Sequence, residues 1–161
     1  MISNPEKYIE LTNLKPGITH KDVEKLISEA EEYHFHGICI PPFWVKKAAR
    51  DLQGSDVKLV TVIGFPFGYN MTETKERETE LAIRDGADEI DLVWSLTAYK
   101  AEMIWPKIEI VKIAKMCHDA EKILKVIIET PLLNEKEIAE ASKICVDAGA
   151  DFVKTATGFN G

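Results

Sequence analysis

The sequence predicts an α/β protein built on a parallel sheet. Three observations point there. Short apolar runs alternate with longer amphipathic ones, several short runs are β-branched and apolar at nearly every position, and the segments between them carry helix start and stop signals. Strands buried on both faces read as continuous apolar runs, and a β-α-β-α alternation implies helical crossovers between parallel neighbours.

Taken in chain order, strands are expected at residues 8–11, 37–40, 58–65, 89–94, 125–130 and 152–156. The first helix starts at Thr19-His20-Lys21-Asp22, an N-cap with an acid three residues on, and Val23, Leu26, Ile27 and Ala30 mark its apolar face. Further helices are expected over 42–52, 72–85 and 101–120. The last starts at Asn134 with Glu137 at the third position, buries Ile138, Ala141, Ile144 and Cys145, and ends at Gly149. No linker or low-complexity stretch interrupts the 161 residues, so residues 1–161 are read as one domain. Six strands fit either a doubly wound sheet or an incomplete (β/α)8 barrel.

A weak internal repeat ties two of these units together. Asp85-Gly86-Ala87-Asp88-Glu89-Ile90-Asp91-Leu92 resembles Ala148-Gly149-Ala150-Asp151-Phe152-Val153-Lys154-Thr155. Asp91 and Lys154 hold the same place in the two copies. Side chains alternate along a strand, so on a barrel both would point inside at similar height.

Bulk properties restrict the partners. With 27 acidic against 20 basic residues the formal charge is −7, which disfavours nucleic acid and anionic membranes. No apolar run approaches the ~20 residues of a membrane span, and the N-terminus has no signal-peptide core. Cys39, Cys117 and Cys145 are scattered through apolar stretches, as reduced buried thiols of a cytoplasmic protein would be. Among His20, His34, His36 and His118 no acid or further histidine is placed to complete a metal set, so no metal is expected.

The chemistry-bearing residues lie in the strands. Lys154 is flanked by Val153 and Thr155; a buried lysine is costly unless paired or neutral, and a neutral amine adds to carbonyls to form an iminium ion. The bland alternative is a lysine that snorkels out at a strand end. Asp91, between Ile90 and Leu92, is either a proton shuttle facing that amine or half of a structural ion pair. Lys125, Ile127 and Glu129 share a face by period two, which offers a second cation and a second acid, unless Lys125 merely opens its strand at the solvent edge. Thr155-Ala156-Thr157-Gly158 offers hydroxyls and backbone N–H groups to a phosphate. Gly64-Phe65-Pro66-Phe67-Gly68 is a tight turn after a strand and, lacking a following Gly-Lys-Ser/Thr, is not a P-loop.

Over nearly all its length the chain resembles the deoxyribose-phosphate aldolase family. The resemblance rests on Gly37-Ile38-Cys39-Ile40-Pro41, Val62-Ile63-Gly64-Phe65-Pro66, Gly86-Ala87-Asp88-Glu89-Ile90-Asp91-Leu92-Val93, Leu124-Lys125-Val126-Ile127-Ile128-Glu129-Thr130, and Gly149-Ala150-Asp151-Phe152-Val153-Lys154-Thr155-Ala156-Thr157-Gly158-Phe159. It implies an α/β, TIM (β/α)8-type barrel, here incomplete with about six βα units. It implies a class I aldolase that reversibly cleaves 2-deoxy-D-ribose 5-phosphate to acetaldehyde and D-glyceraldehyde 3-phosphate, with no metal or organic cofactor. By the same likeness Lys154 is the Schiff-base lysine, Asp91 the proton donor and acceptor, and Lys125 a neighbour in the relay. Thr12, Cys39, Thr157 and Gly158 match the substrate pocket.

Two departures stand out. Glu10 replaces the family's usual Asp in Ile9-Glu10-Leu11-Thr12, which moves the carboxylate by one methylene. Only six of eight strands are counted, so the chain is read as C-terminally truncated, lacking two βα units of on the order of 60 residues. In the family the seventh strand carries a second lysine, in a Gly-Phe-Lys segment, that depresses the Schiff-base lysine's pKa. The 161-residue chain alone is therefore expected to show little or no turnover in a retro-aldol assay, and near-family turnover would refute this. A homo-oligomer is the expectation for a full-length parent. The rival readings are a non-catalytic open α/β binding module, with Lys154 at an edge or exposed, and another lysine-dependent barrel aldolase or dehydratase.

Overall fold

The computed structural model describes residues 3–160. Six strands, β1 (Glu10–Thr12), β2 (Gly37–Ile40), β3 (Lys58–Ile63), β4 (Glu89–Val93), β5 (Ile123–Ile127) and β6 (Phe152–Lys154), pair in parallel in chain order. The crossovers are α1 (His20–Glu32), α2 (Val45–Asp51), α3 (Thr72–Asp85), α4 (Leu96–Lys100) with α5 (Trp105–Asp119), and α6 (Glu135–Asp147). The sheet curls as part of a TIM-type barrel: carboxylate and amine groups of the outermost strands, Glu10 and Lys154, meet at 3.0 Å. Among the described residues β1 and β6 are each paired on one side only, which leaves Phe152 and Val153 exposed.

The two faces of the sheet have different chemistry, and strand periodicity is the reason. Ile38, Ile40, Leu59, Ile63, Ile90, Leu92, Leu124 and Val126 face the helices, where they meet Val23, Ile27, Ala48, Ile113 and Cys145 in one continuous core. The interior face carries a small apolar group of Cys39, Val60 and Val62, with Leu14 and Phe65 packed on it. Beside that group the interior becomes charged, with buried Glu89, Asp91 and Lys125.

Caps behave as their sequences imply. Thr19 and Asp22 form a capping box, as do Asn134 and Glu137, and Gly86 closes α3 at φ 110°. Several boundaries differ from expectation: β3, β4 and β6 stop at Ile63, Val93 and Lys154 instead of at residues 65, 94 and 156. Tyr8 ends a 3-10 turn opened by Pro5, so the first strand starts at Glu10 instead of at residue 8. The segment from Pro42 begins as a 3-10 turn and becomes α-helical only at Val45. The single helix expected over 101–120 is two helices, because Glu102 adopts φ 55° and Pro106, which has no N–H to donate, fits only a first turn. Finally β5 starts at Ile123 and stops at Ile127, and Glu129 takes φ 59° beyond the strand, so its side chain leaves the face it was expected to share with Lys125.

The turn from Gly64 to Gly68 is held tightly. Both glycines have positive φ, and a Cβ on Gly68 would lie 2.1 Å from the Trp94 carbonyl oxygen. Gly68→Ala is expected to lower the unfolding free energy by about 3 kcal/mol. Gly17→Ala, where no atom lies within 4 Å, should change it by less than about 0.5 kcal/mol. Urea denaturation of the two variants beside the parent chain checks both.

Candidate active site

Four strands bring a compact charge cluster into the curl of the sheet. Glu10 opens β1 and Glu89 opens β4; Asp91 and Lys125 are opposed mid-strand partners in β4 and β5; Lys154 closes β6. Lys154 Nζ hydrogen-bonds to Asp91 Oδ2 and lies 3.0 Å from Glu10 Oε2. Lys125 Nζ hydrogen-bonds to the other Glu10 oxygen, stands 2.8 Å from Glu89 Oε2, and is 3.2 Å from Asp91 Oδ1. Asp91 is fully buried, whereas about a third of the Lys154 side chain (34%) remains exposed. A buried carboxylate thus faces the amine of a lysine whose side chain is partly exposed.

The remaining expected residues fall into two groups. Cys39 lies in the interior beside the cluster, and burial followed by the Asp91 charge pushes its thiol up to about 12, so it stays protonated. Thr12 is exposed at the end of β1 with its hydroxyl donating to the Glu10 carbonyl, outside the ion cluster. Thr157 donates its N–H and its hydroxyl to the Glu129 carboxylate, at 3.1 and 2.7 Å, and Asn160 adds a third donor. Glu129 is therefore not a second acid for the lysines; it occupies the Thr157 N–H and hydroxyl, two of the donors that the sequence assigned to a phosphate. Gly158, at φ 79° with nothing within 4 Å of a Cβ position, keeps its backbone open.

Two members were missed. Glu89 is two residues before Asp91 on a five-residue strand, so period two alone would have put it on the same face. His36 gave no local signal: it precedes β2, yet its Nε2 reaches Glu89 Oε1 at 2.7 Å. The expectation that no acid is placed to complete a metal set with a histidine is corrected here, since His36, Glu89 and Glu10 place ligand-type atoms within 4.8 Å of one another. The cation between the two carboxylates is the Lys125 ammonium.

Comparison with known proteins settles the family. Residues 7–161 match the model of the DeoC/LacD family aldolases. The chain belongs to this aldolase family. It is 49% identical over 155 residues to the deoxyribose-phosphate aldolase of Clostridium botulinum, covering 96% of this chain and 72% of the relative. It is 46% identical to that of Metamycoplasma hominis, covering 96% and 70%. Among solved structures it superposes on the aldolase QR15 with TM-score 0.90 at 42% identity, covering 96% of this chain and 68% of that one. It also superposes on the deoxyribose phosphate aldolase of Aeropyrum pernix, described as a unique tetramer, with TM-score 0.89 at 34% identity, covering 96% and 64%.

For a DeoC/LacD aldolase the electrostatics of the cluster are informative. Burial works against the Lys154 ammonium, but Asp91 and Glu10 together outweigh it, and the pKa rises above the ordinary lysine value. Burial pushes the Asp91 carboxyl up, and the two lysines pull it back without cancelling the rise. For Glu10 burial is overcome by its hydrogen bonds to the lysines, which hold it below the ordinary glutamate value. The expectation of an amine kept uncharged is therefore corrected: three carboxylates surround two ammonium groups, and that excess keeps Lys154 protonated. Lys154 and Asp91, both with raised proton affinity and in direct contact, are suited to pass a proton between them. β6 is an edge strand, as the binding-module reading required, yet the amine points inward to the cluster instead of out to solvent. No helix is long and apolar enough to cross a membrane among the described residues.

Proposed function

We propose that the chain reversibly cleaves 2-deoxy-D-ribose 5-phosphate to acetaldehyde and D-glyceraldehyde 3-phosphate through a Schiff base on Lys154. The observation that carries this is the contact between the amine of the partly exposed Lys154 side chain and a fully buried Asp91. The name shared by the relatives supports the substrate.

In the first step the Lys154 amine, once deprotonated, adds to the substrate carbonyl carbon and the oxygen takes up a proton. Asp91 supplies a proton to the departing hydroxyl, water leaves and an iminium remains. The iminium then accepts the electron pair of the breaking C–C bond, a proton leaves the substrate hydroxyl on the far side of that bond, and the aldehyde fragment departs. Protonation of the enamine and hydrolysis return Lys154 and release acetaldehyde. Lys125 pairs with the Asp91 carboxylate once Asp91 has given up its proton, and the Gly158 backbone offers a donor for the phosphate. Cys39 and Thr12 bound the pocket. A homo-oligomer in the cytoplasm fits the tetrameric relative and the three buried free thiols.

Mass spectrometry after borohydride reduction with 2-deoxy-D-ribose 5-phosphate tests the reading. The adduct is expected on the peptide carrying Lys154, and an adduct spread over surface lysines would refute it. The sheet order shows β1 and β6 each lacking a second neighbour among the described residues, so a retro-aldol assay on the 161-residue chain is expected to show little or no turnover, and near-family turnover would refute this.

A further inference from the structure

Although β1 and β6 share no backbone pairing among the described residues, one side chain joins them. Glu10 turns one carboxylate oxygen to Lys125 and the other to Lys154, 3.0 Å away. The groups that face Lys154 are Asp91 from β4, Glu10 from β1, Cys39 from β2 and, behind Asp91, Lys125 from β5. Of the three carboxylates in the cluster, Glu10 is the most accessible: its side chain is 18% exposed, against 4% for Glu89 and 1% for Asp91. It also stands on an edge strand, where a side chain can rotate outward without opening the core. Glu89 and Asp91 have no such route.

The reach of Glu10 matters. An aspartate at this position would draw the carboxylate back by about 1.5 Å, one C–C bond, which is enough to lose one of the two lysines. The bridge is thus a property of the glutamate found here.

We propose that Glu10 gates the Lys154 amine: bridging the two lysines across the open side of the sheet, its carboxylate covers Nζ and must swing away before that amine can add to a carbonyl. This rests on the Schiff-base reading of Lys154. Released, the ammonium gives a proton to solvent, and its lone pair forms a bond to the carbonyl carbon while the C=O π pair moves to oxygen and is protonated. Loss of water gives an iminium. With cyanoborohydride as added reductant, hydride adds to the iminium carbon and leaves a stable secondary amine.

The test uses the intact chain with acetaldehyde and cyanoborohydride over a pH series, reading alkylation of Lys154 by mass spectrometry against Lys25, whose side chain is 73% exposed. In the parent chain Lys154 is expected to be alkylated more slowly than Lys25 at neutral pH and to have a higher pH midpoint. Glu10→Gln is expected to raise the Lys154 to Lys25 ratio about tenfold and to lower the midpoint by about one pH unit. Glu10→Asp, with one lysine lost, should fall between the two. An unchanged ratio in a Glu10→Gln chain with the parent's circular dichroism overturns the gate but leaves the Schiff-base reading standing. If Glu10→Gln does not fold, Glu10→Asp decides: a Lys154 to Lys25 ratio above the parent's supports the gate, and an unchanged ratio overturns it. Absence of alkylation at Lys154 in both chains, at every pH where Lys25 reacts, removes the Schiff-base reading and the gate with it.

Discussion

A Lys154→Arg chain is expected to lose the borohydride-trapped adduct entirely while keeping the fold. Arginine retains the positive charge that Asp91 and Glu10 hold, so the cluster keeps its counter-ion, but a guanidinium does not deprotonate and forms no iminium. Lys154→Met should lose the adduct equally and, in addition, leave the buried Asp91 with Lys125 as its one cation, so that variant is also expected to unfold more readily. Comparing the two separates the chemical role from the structural one. Intact-mass measurement after reduction with acetaldehyde reads the adduct, and urea denaturation reads the fold. Persistence of a single adduct in the arginine variant would assign the chemistry to another lysine.

Breaking the buried ion pair between α3 and α5 should have the largest effect on stability. Lys75 is wholly buried, and its Nζ donates to Glu109 Oε1 at 2.8 Å, to the Gly68 carbonyl at 2.7 Å and to the Val93 carbonyl at 2.9 Å. Glu109 is equally buried and also accepts from the Thr72 hydroxyl. Burial pulls the lysine's pKa down and pushes the glutamate's up, and each partner's charge resists the shift of the other. Glu109→Leu strands an ammonium in the core and is expected to cost about 3–5 kcal/mol, a large part of the 5–15 kcal/mol that holds a typical domain. Adding Lys75→Met to Glu109→Leu should recover only part of the loss, because the Gly68 and Val93 carbonyls then have no donor. Urea unfolding curves for the two single variants and the double variant measure the coupling; full recovery in the double variant would show that the two carbonyl contacts contribute nothing.

Some local features were legible because they depend on few neighbours. The capping boxes at Thr19 and Asn134 and the full extent of α3 follow from residues three or four apart, and β3 follows from its β-branched run. Element ends were less legible. A strand stops where a single residue leaves the extended region, as Glu129 does at φ 59°, and composition does not mark that residue. The same flip decided the role of Glu129, which turned from the lysines to the Thr157 donors.

The alternation of elements, the matching places of Asp91 and Lys154, and the motifs of the aldolase family were all determined by the order of residues alone, since each depends on spacing along one chain. Who neutralises whom was decided only by the curl of the sheet. Glu10 and Lys154 are separated by 144 positions yet meet at 3.0 Å, and His36 crosses to Glu89 at 2.7 Å. Proton affinity follows the charges within a few ångströms. Whether the Lys154 amine is held as an ammonium is therefore set by residues that the linear sequence keeps far apart.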